Sequence, residues 1–343
     1  MTTILSIIGA LLVITALIVI HELGHFLSGR RLGFAIEEFS VGFGPKLFQQ
    51  NRNGILYSIR AFPIGGYVRF LGEDEELVDL GAFNNQKIWK RFVTLISGPL
   101  ANILTAILLA VITIFAFGDY APSVSAITQG SPAEAAGLQE GDILTGVNDV
   151  DILFYQEAAD EVAKAAQSGK QVVLTVERGG EELTLVSEFM YSEALERDII
   201  GVTFGSVRVH FSLLESVAIS FKWMWYLLKE MIGVVVGLFT FRQDLAELAG
   251  TVGIIDILSR AVRSGGEVVL RMATLISLNL GVINLIPFPA LDGGRILFIA
   301  IEKVIKRPVP RKVESAINMV GLIGLFALIG VLTFQDISRL IGA

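Results

Sequence analysis

Cysteine is missing altogether from the 343 residues. That excludes disulfides, thiolate metal ligands and a thiol nucleophile, and it leaves the redox compartment unread. Histidine is nearly as scarce: His21, His25 and His210 are the whole complement. Any zinc site must therefore take a third protein ligand from His210 or from a carboxylate. Charge is sparse too. A charged fraction of 18% against 53% hydrophobic, with mean hydropathy +0.65, excludes an ordinary soluble enzyme and fits several membrane spans plus one water-soluble insert. A basic n-region and an A-x-A cleavage site are absent near the N-terminus, so Ile4–Ile20 is expected to be a retained span. No internal repeat or low-complexity segment stands out, and no nucleic-acid partner is expected.

What is present begins with His21-Glu22-Leu23-Gly24-His25 at the end of the first apolar run. In a helix, His21 and His25 share one face about a turn apart. Two imidazoles so placed can hold one Zn²⁺, with Glu22 reaching a water on it. HExxH alone recurs by chance, and a helix end carrying polar residues into water would look the same. An apolar span shifts the balance, because ionisable residues are expensive there and mark functional sites.

The first span is expected from about Thr3 to Leu27, long enough to cross a core of ~30 Å. Residues 33–72 turn strand-like, with Asn53-Gly54 as a hairpin turn and Ile55–Arg60 rich in β-formers. This is a small membrane-associated β-hairpin sheet, either without chemistry or with an edge able to pair with an extended peptide. A second span covers about Phe92–Phe117 and carries the small-residue cluster Ser97-Gly98-Pro99-Leu100-Ala101-Asn102, which suits close helix packing.

From Asp119 to His210 acidic residues outnumber basic ones roughly three to one, unlike the basic 29–91 loop. Gly130, Pro132, Gly137 and Gly141 punctuate Val124–Leu144 as turn, helix start, helix end and turn. The pattern resembles a PDZ domain of the bacterial, circularly permuted kind. That likeness implies a second helix over Tyr155–Ala166, strands at Gln171–Arg178 and Glu182–Glu188 around Gly179-Gly180, and a carboxylate-binding loop at Ile199-Ile200-Gly201-Val202. Residues 211–242 are apolar but broken by Glu215, Lys222, Lys229 and Glu230. They read as a helix lying in the interface, with a fifth span as the competing reading. A third span runs from about Val268 to Ile286 and is stopped by Pro287-Phe288-Pro289. Irregular backbone at membrane depth is tolerated only where it lines a cavity, so Asp292 looks placed in a site. A basic loop at 303–312 and a span from Ala316 to Phe334 follow.

HExxH at the end of a first span, with Asn284-Leu285-Ile286-Pro287-Phe288-Pro289-Ala290-Leu291-Asp292-Gly293-Gly294 far downstream, resembles the site-2 protease family of intramembrane zinc metalloproteases. The PDZ-like insert between spans two and three narrows the likeness to the RseP/RasP type. Gly42–Pro45, Gly65-Gly66-Tyr67 and Gly98–Asn102 are similar to that family as well. A single PDZ-like insert departs from members that carry two. The resemblance implies that His21, His25 and Asp292 bind zinc, that Glu22 is the general base, and that Asn279 and Asn284 lie near the site, holding a substrate backbone or an oxyanion. It also implies a substrate class: single-span membrane proteins such as anti-sigma-factor-like regulators and signal-peptide remnants, first trimmed by another protease. Gly66 and Tyr67 would then meet an unwound substrate strand, and Ile200, Gly201 and Val202 a peptide C-terminus. A transporter or adaptor with a regulatory domain also uses broken helices and midplane polar residues, but it has no need of HExxH facing a distant Asp.

The expected architecture is thus a polytopic α-helical membrane protein of four spans with a membrane-associated β-hairpin sheet and one inserted PDZ-like α+β domain. Its parts are 1–118, the insert 119–210, an interfacial helix and linker over 211–266, and a second membrane half over 267–343. The distribution of Lys and Arg places the basic loops in the cytoplasm and the insert outside, in a bacterial inner membrane, with the zinc towards the cytoplasmic side. His210, at the outer edge of the insert, is then too far across the bilayer to be the third ligand.

Overall fold

The structure, a computed structural model, describes residues 3–73, 79–153, 155–169, 171–240 and 249–342. The chain divides into two compact units, Met1–Thr113 with Val217–Ala343, and Ile114–Ser216.

The first unit is mostly helical. Helix α1 (Thr3–Leu32) is followed by strands β1 (Ile36–Arg52) and β2 (Ile55–Phe70) and by α2 (Ile88–Phe117). Among the described residues, four helices are long and apolar enough to cross a membrane: α1, α2, Gly266–Leu285 and Arg311–Arg339. All four expected spans coincide with them, each reaching a few residues further at one or both ends. Lipid offers no hydrophobic drive for apolar helices to meet, so close contact depends on small residues. Gly24 of α1 lies against the Ser97 carbonyl of α2, where an added Cβ would come within 2.3 Å of the oxygen. Gly29 faces the Phe70 ring in the same way.

The hairpin is long and bends back on itself. Asn53 and Gly54 both have positive φ, 53° and 81°, as a type I′ turn requires. Val41 stands opposite both Ile59 and Gly66, and Ser40 opposite both Ser58 and Tyr67. The first half of β1 is therefore flanked on both sides by β2, and Gly66–Phe70 forms an outer edge. This last stretch runs along α1: the Pro63 carbonyl accepts a bond from Thr15, and Phe70 packs at Gly29. A buried Glu38 ties the segments together, accepting from Ser58 Oγ at 2.6 Å and Arg60 Nη2 at 2.8 Å. Arg60 Nη2 also donates to Tyr67 at 2.6 Å. Phe26, Phe34, Phe39, Tyr57, Phe70 and Phe83 fill the space between hairpin and α1.

The second unit is a small α+β domain. Its elements are β3 (Asp119–Ile127), α3 (Pro132–Ala135), β4 (Ile143–Val147), β5 (Val150–Asp151), α4 (Tyr155–Ser168), β6 (Gln171–Arg178), β7 (Glu181–Glu188), β8 (Met190–Ser192), β9 (Arg197–Ile199) and β10 (Val202–Val209). The main sheet has the order β10-β3-β4-β6-β7, with β5 on β4. Alternating positions drive it: Val172, Leu174 and Val176 are buried and meet Val124, Leu144 and Val147 with Ala158 of α4. Ser131 caps α3, accepting from Glu134 N–H, and Glu134 in turn accepts from Gly130 N–H at 2.6 Å. Gly130, Gly137, Gly141, Gly179 and Gly180 all take positive φ, at the turns the sequence assigns to them.

Back in the first unit, α5 (Leu213–Phe239) is one continuous helix from within the stretch expected at the interface; Phe241 and Arg242 lie outside the described residues. Its Trp223, Met224, Leu227 and Met231 pack on Ile103, Ala106, Ile107 and Ala110 of α2. The stretch read as a linker contains a further helix, α6 (Thr251–Ser264), which buries Leu258 and Ala261 against Ala10 of α1. Then come α7 (Gly266–Leu285), α8 (Asp292–Ile305) and α9 (Arg311–Ile341). Asp336 of α9 accepts from Gly250 and Gly253 N–H at 3.2 and 2.7 Å, capping the start of α6.

Candidate active site

α1 carries His21 and His25 on its buried face, and the helix break before α8 delivers Asp292 to them. The two prolines end α7 at Leu285. The chain turns through Ala290, and α8 starts at Asp292. Gly293 and Gly294 make the reversal possible: a Cβ on either would come within 2.3 Å of the Ile286 or Phe288 carbonyl oxygen. Asp292 Oδ2 consequently lies 3.1 Å from His21 Nε2 and 3.4 Å from His25 Nε2, with the two Nε2 atoms 3.2 Å apart.

These three distances test whether a metal fits. Donors about 2.0–2.2 Å from one tetrahedral ion stand about 3.3–3.5 Å from each other. Of the observed edges, 3.4 Å falls in that range and 3.1 and 3.2 Å are slightly shorter, so the donors need to spread only a little to seat an ion. Asp292 Oδ2 is buried and, apart from the two imidazole nitrogens, no described group donates to it, so the three atoms converge on one point. Among the described residues, His21, His25 and Asp292 are the group able to hold a metal, and His210 belongs to the other unit.

The rings are oriented from behind. His25 Nδ1 is 2.8 Å from the Thr94 carbonyl, an acceptor that fixes the proton on Nδ1 and turns Nε2 towards Asp292. His21 Nδ1 faces the amide of Asn102 at 3.3 Å, and Asn102 is fully buried. The amide atom at that distance is Nδ2, while Oδ1 has no partner among the described residues. With Nε2 directed at a metal, His21 Nδ1–H requires an acceptor, and turning the amide over supplies that oxygen. Gly98 gives His25 its room: a Cβ there would come 2.2 Å from Nε2. The sequence alone reads the 97–102 cluster as helix packing. Its chemical part, Asn102, is signalled only by being an amide within an apolar span, and the Thr94 carbonyl by nothing.

Glu22 is not part of the triangle. Its carboxylate accepts from the Val68 N–H of β2 at 3.1 Å, and a Cβ on Gly66 would lie 3.7 Å from its Cγ. The outer edge of the hairpin sheet thus runs past the carboxylate beside the histidines. Gly66 lies at this edge by its backbone. The Tyr67 side chain is instead engaged with Arg60. Asn279 is exposed on α7 and Asn284 is half-buried in its last turn; neither side chain has a hydrogen bond to a described residue. In the second unit, Ile200 is buried, and the carbonyls of Ile200 and Gly201 accept from Ala133 and Thr128 N–H at 3.0 and 2.8 Å. Gly201 has φ +83°, and a Cβ would meet Ser131 at 2.3 Å. Val202 begins β10, an edge strand of the sheet.

A helical HExxH pair, a carboxylate returned to it by a broken helix, and four helices of spanning length define a membrane zinc metalloprotease. The chain belongs to Peptidase family M50, whose model matches residues 9–328. It is 30% identical to the zinc metalloprotease RasP of Shouchella clausii, covering 99% of this chain and 100% of that protein. It is 28% identical to the zinc metalloprotease RasP of Geobacillus kaustophilus, over 98% and 99% of the two chains. Among solved structures, the PDZ domain of an SdrC-like protein from Listeria monocytogenes is similar at 19% identity, with 24% of this chain and 86% of that one covered and a TM-score of 0.22.

Proposed function

We propose that the protein cleaves peptide bonds in or near the transmembrane segment of single-span membrane proteins, with Glu22 as general base and His21, His25 and Asp292 as zinc ligands. The observation that carries this reading is the edge of β2 running past Glu22 beside the three converging donors. A helical substrate has its peptide groups tied up in hydrogen bonds and must unwind to be cut. An unwound strand laid along this edge beside Val68, whose own N–H is committed to Glu22, has other backbone groups satisfied by β-pairing, away from water. Zinc, when bound, supplies a Lewis acid and lowers the pKa of its water towards neutrality. Glu22 takes the proton from the attacking water and delivers it to the leaving amine. Val68 N–H orients the Glu22 carboxylate. Asn279 and Asn284 are assigned to the substrate backbone or its developing oxyanion, following the family resemblance.

The substrates are regulators of the anti-sigma-factor kind or signal-peptide remnants, trimmed first by another protease in regulated proteolysis. The acidic second unit lies outside a bacterial inner membrane and the site towards the cytoplasm, following the basic loops. That unit screens substrates. Bulk alone would exclude large outer domains, while the open edge of β10 next to Ile200-Gly201-Val202 has the form that takes up a peptide strand. The test is cleavage of purified single-span proteins by the zinc-loaded parent and by Glu22→Gln. Cleavage by the parent alone supports the proposal; equal cleavage by both refutes it. Because the chain has no cysteine of its own, sidedness is read by introducing one. A cysteine at Glu140 should react with an impermeant reagent on spheroplasts and one at Asn53 should not.

A further inference from the structure

We infer that Asn318, on the last apolar helix, is a positioning residue for Asp292 and acts through the backbone amide of Ala290; the inference rests on reading Asp292 as a metal ligand. Residues 286–291 must reverse the chain between α7 and α8 in very few steps. Ala290 sits at φ +74°, the left-handed region that residues with a Cβ rarely adopt and that persists only where the surroundings impose it. Two contacts from α9 impose it. The Ala290 N–H donates to Asn318 Oδ1 at 3.2 Å, the one side-chain hydrogen bond to the 286–291 backbone among the described residues. Gly321, three residues along on the same face, lies under Pro289, where an added Cβ would come within 2.4 Å of the proline Cβ.

α9 is otherwise thinly packed. Ile317, Met319 and Val320 around Asn318 are exposed, whereas Asn318 is half-buried and Gly321 buried. A polar side chain on that inward stripe has a specific use, because a backbone N–H at this depth has no water to turn to and needs an acceptor. If Ala290 relaxes towards negative φ, the peptides of Leu291 and Asp292 rotate with it. Asp292 Oδ2 then leaves the positions 3.1 and 3.4 Å from the two histidines.

The experiment measures zinc affinity of the intact, detergent-solubilised protein by competition with a chelator. Asn318→Leu should bind zinc about tenfold more weakly than the parent, as expected when support of a ligand is lost. Asn318→Asp, which keeps the acceptor oxygen, should stay within about threefold. Adding Ala290→Gly to Asn318→Leu should restore most of the affinity, because glycine takes positive φ without strain. Where Asn318→Leu fails to fold, Asn318→Ser, too short to reach the amide, replaces it with the same expectation. The inference is overturned if Asn318→Leu binds zinc like the parent while Asp292→Ala loses it. It is also overturned if the loss in Asn318→Leu is not recovered with Ala290→Gly, since the asparagine would then act by packing alone. Zinc retained by Asp292→Ala would remove the ligand reading itself.

Discussion

The two units of the chain bury different things. The Ile114–Ser216 unit is held like any small water-soluble domain: Leu144, Val147, Val172, Leu174 and Val176 lose their contact with water and the sheet follows. The helical unit exposes its large apolar residues, such as Leu104 and Phe326, and buries Ser6, Thr94, Asn102, Ser277, His21 and His25. Its tight contacts are glycines. In lipid, apolar side chains gain little by turning inward, so between the helices small and polar groups share the interior with apolar ones such as Leu258 and Leu278. The site chemistry therefore sits where the packing is polar, and the stability of the insert where it is not.

A glycine replacement in each unit gives the largest contrast. Gly98→Ala places a Cβ on His25 Nε2; cleavage should fall to below about 1% of the parent and zinc affinity with it. Gly130→Ala in the insert meets open space and only a positive φ of 76°. Its effect should be a local loss of about 1 kcal/mol in hydrogen-exchange protection, with zinc content unchanged. Next in size is Leu144→Ala, which should lower the opening free energy of β4 and β6 amides in the intact protein by about 2–5 kcal/mol and leave zinc binding alone.

A smaller effect sharpens the comparison by pH. Burial alone would raise the Asp142 carboxyl, but hydrogen bonds from Arg178 and from Gln139 N–H outweigh it and hold the group below the usual carboxylate range. A folded pKa below the unfolded one stabilises the fold above the unfolded value, about 3.9, and that contribution fades as pH falls through the folded value. Protection of the insert should thus be flat from pH 7 to 5 and drop below about pH 4. Arg178→Met should lower it at pH 7 and blunt the acid drop. The smallest effect belongs to Leu104→Ala on the exposed face of α2: within about 0.5 kcal/mol in thermal unfolding and no change in cleavage. A loss there like that of Leu144→Ala would mean the two units are built by the same rule.

Sequence reading goes furthest where residue type alone decides backbone geometry. Asn53-Gly54, Gly130, Gly137 and Gly179-Gly180 name their turns, and Pro287 with Pro289 names the helix break that returns Asp292 to the histidines. It falls short where a contact is made by backbone or by one uncharged side chain. Nothing in Val68 says that its N–H holds Glu22, or in Thr94 that its carbonyl turns His25. Asn102 and Asn318 carry a faint signal, an amide among apolar residues, without a partner to give it meaning. α6 is hidden because its charged Asp256, Arg260 and Arg263 make a short amphipathic helix look like a polar connection between spans.

The central claim is that His21 and His25 are completed by Asp292 and not by the third histidine of the chain. Zinc per chain after mild chelation and dialysis of the purified protein tests it directly. The parent and His210→Ala should each retain about one zinc, while Asp292→Ala and His21→Ala should retain far less. Full zinc in Asp292→Ala together with loss in His210→Ala would contradict the account.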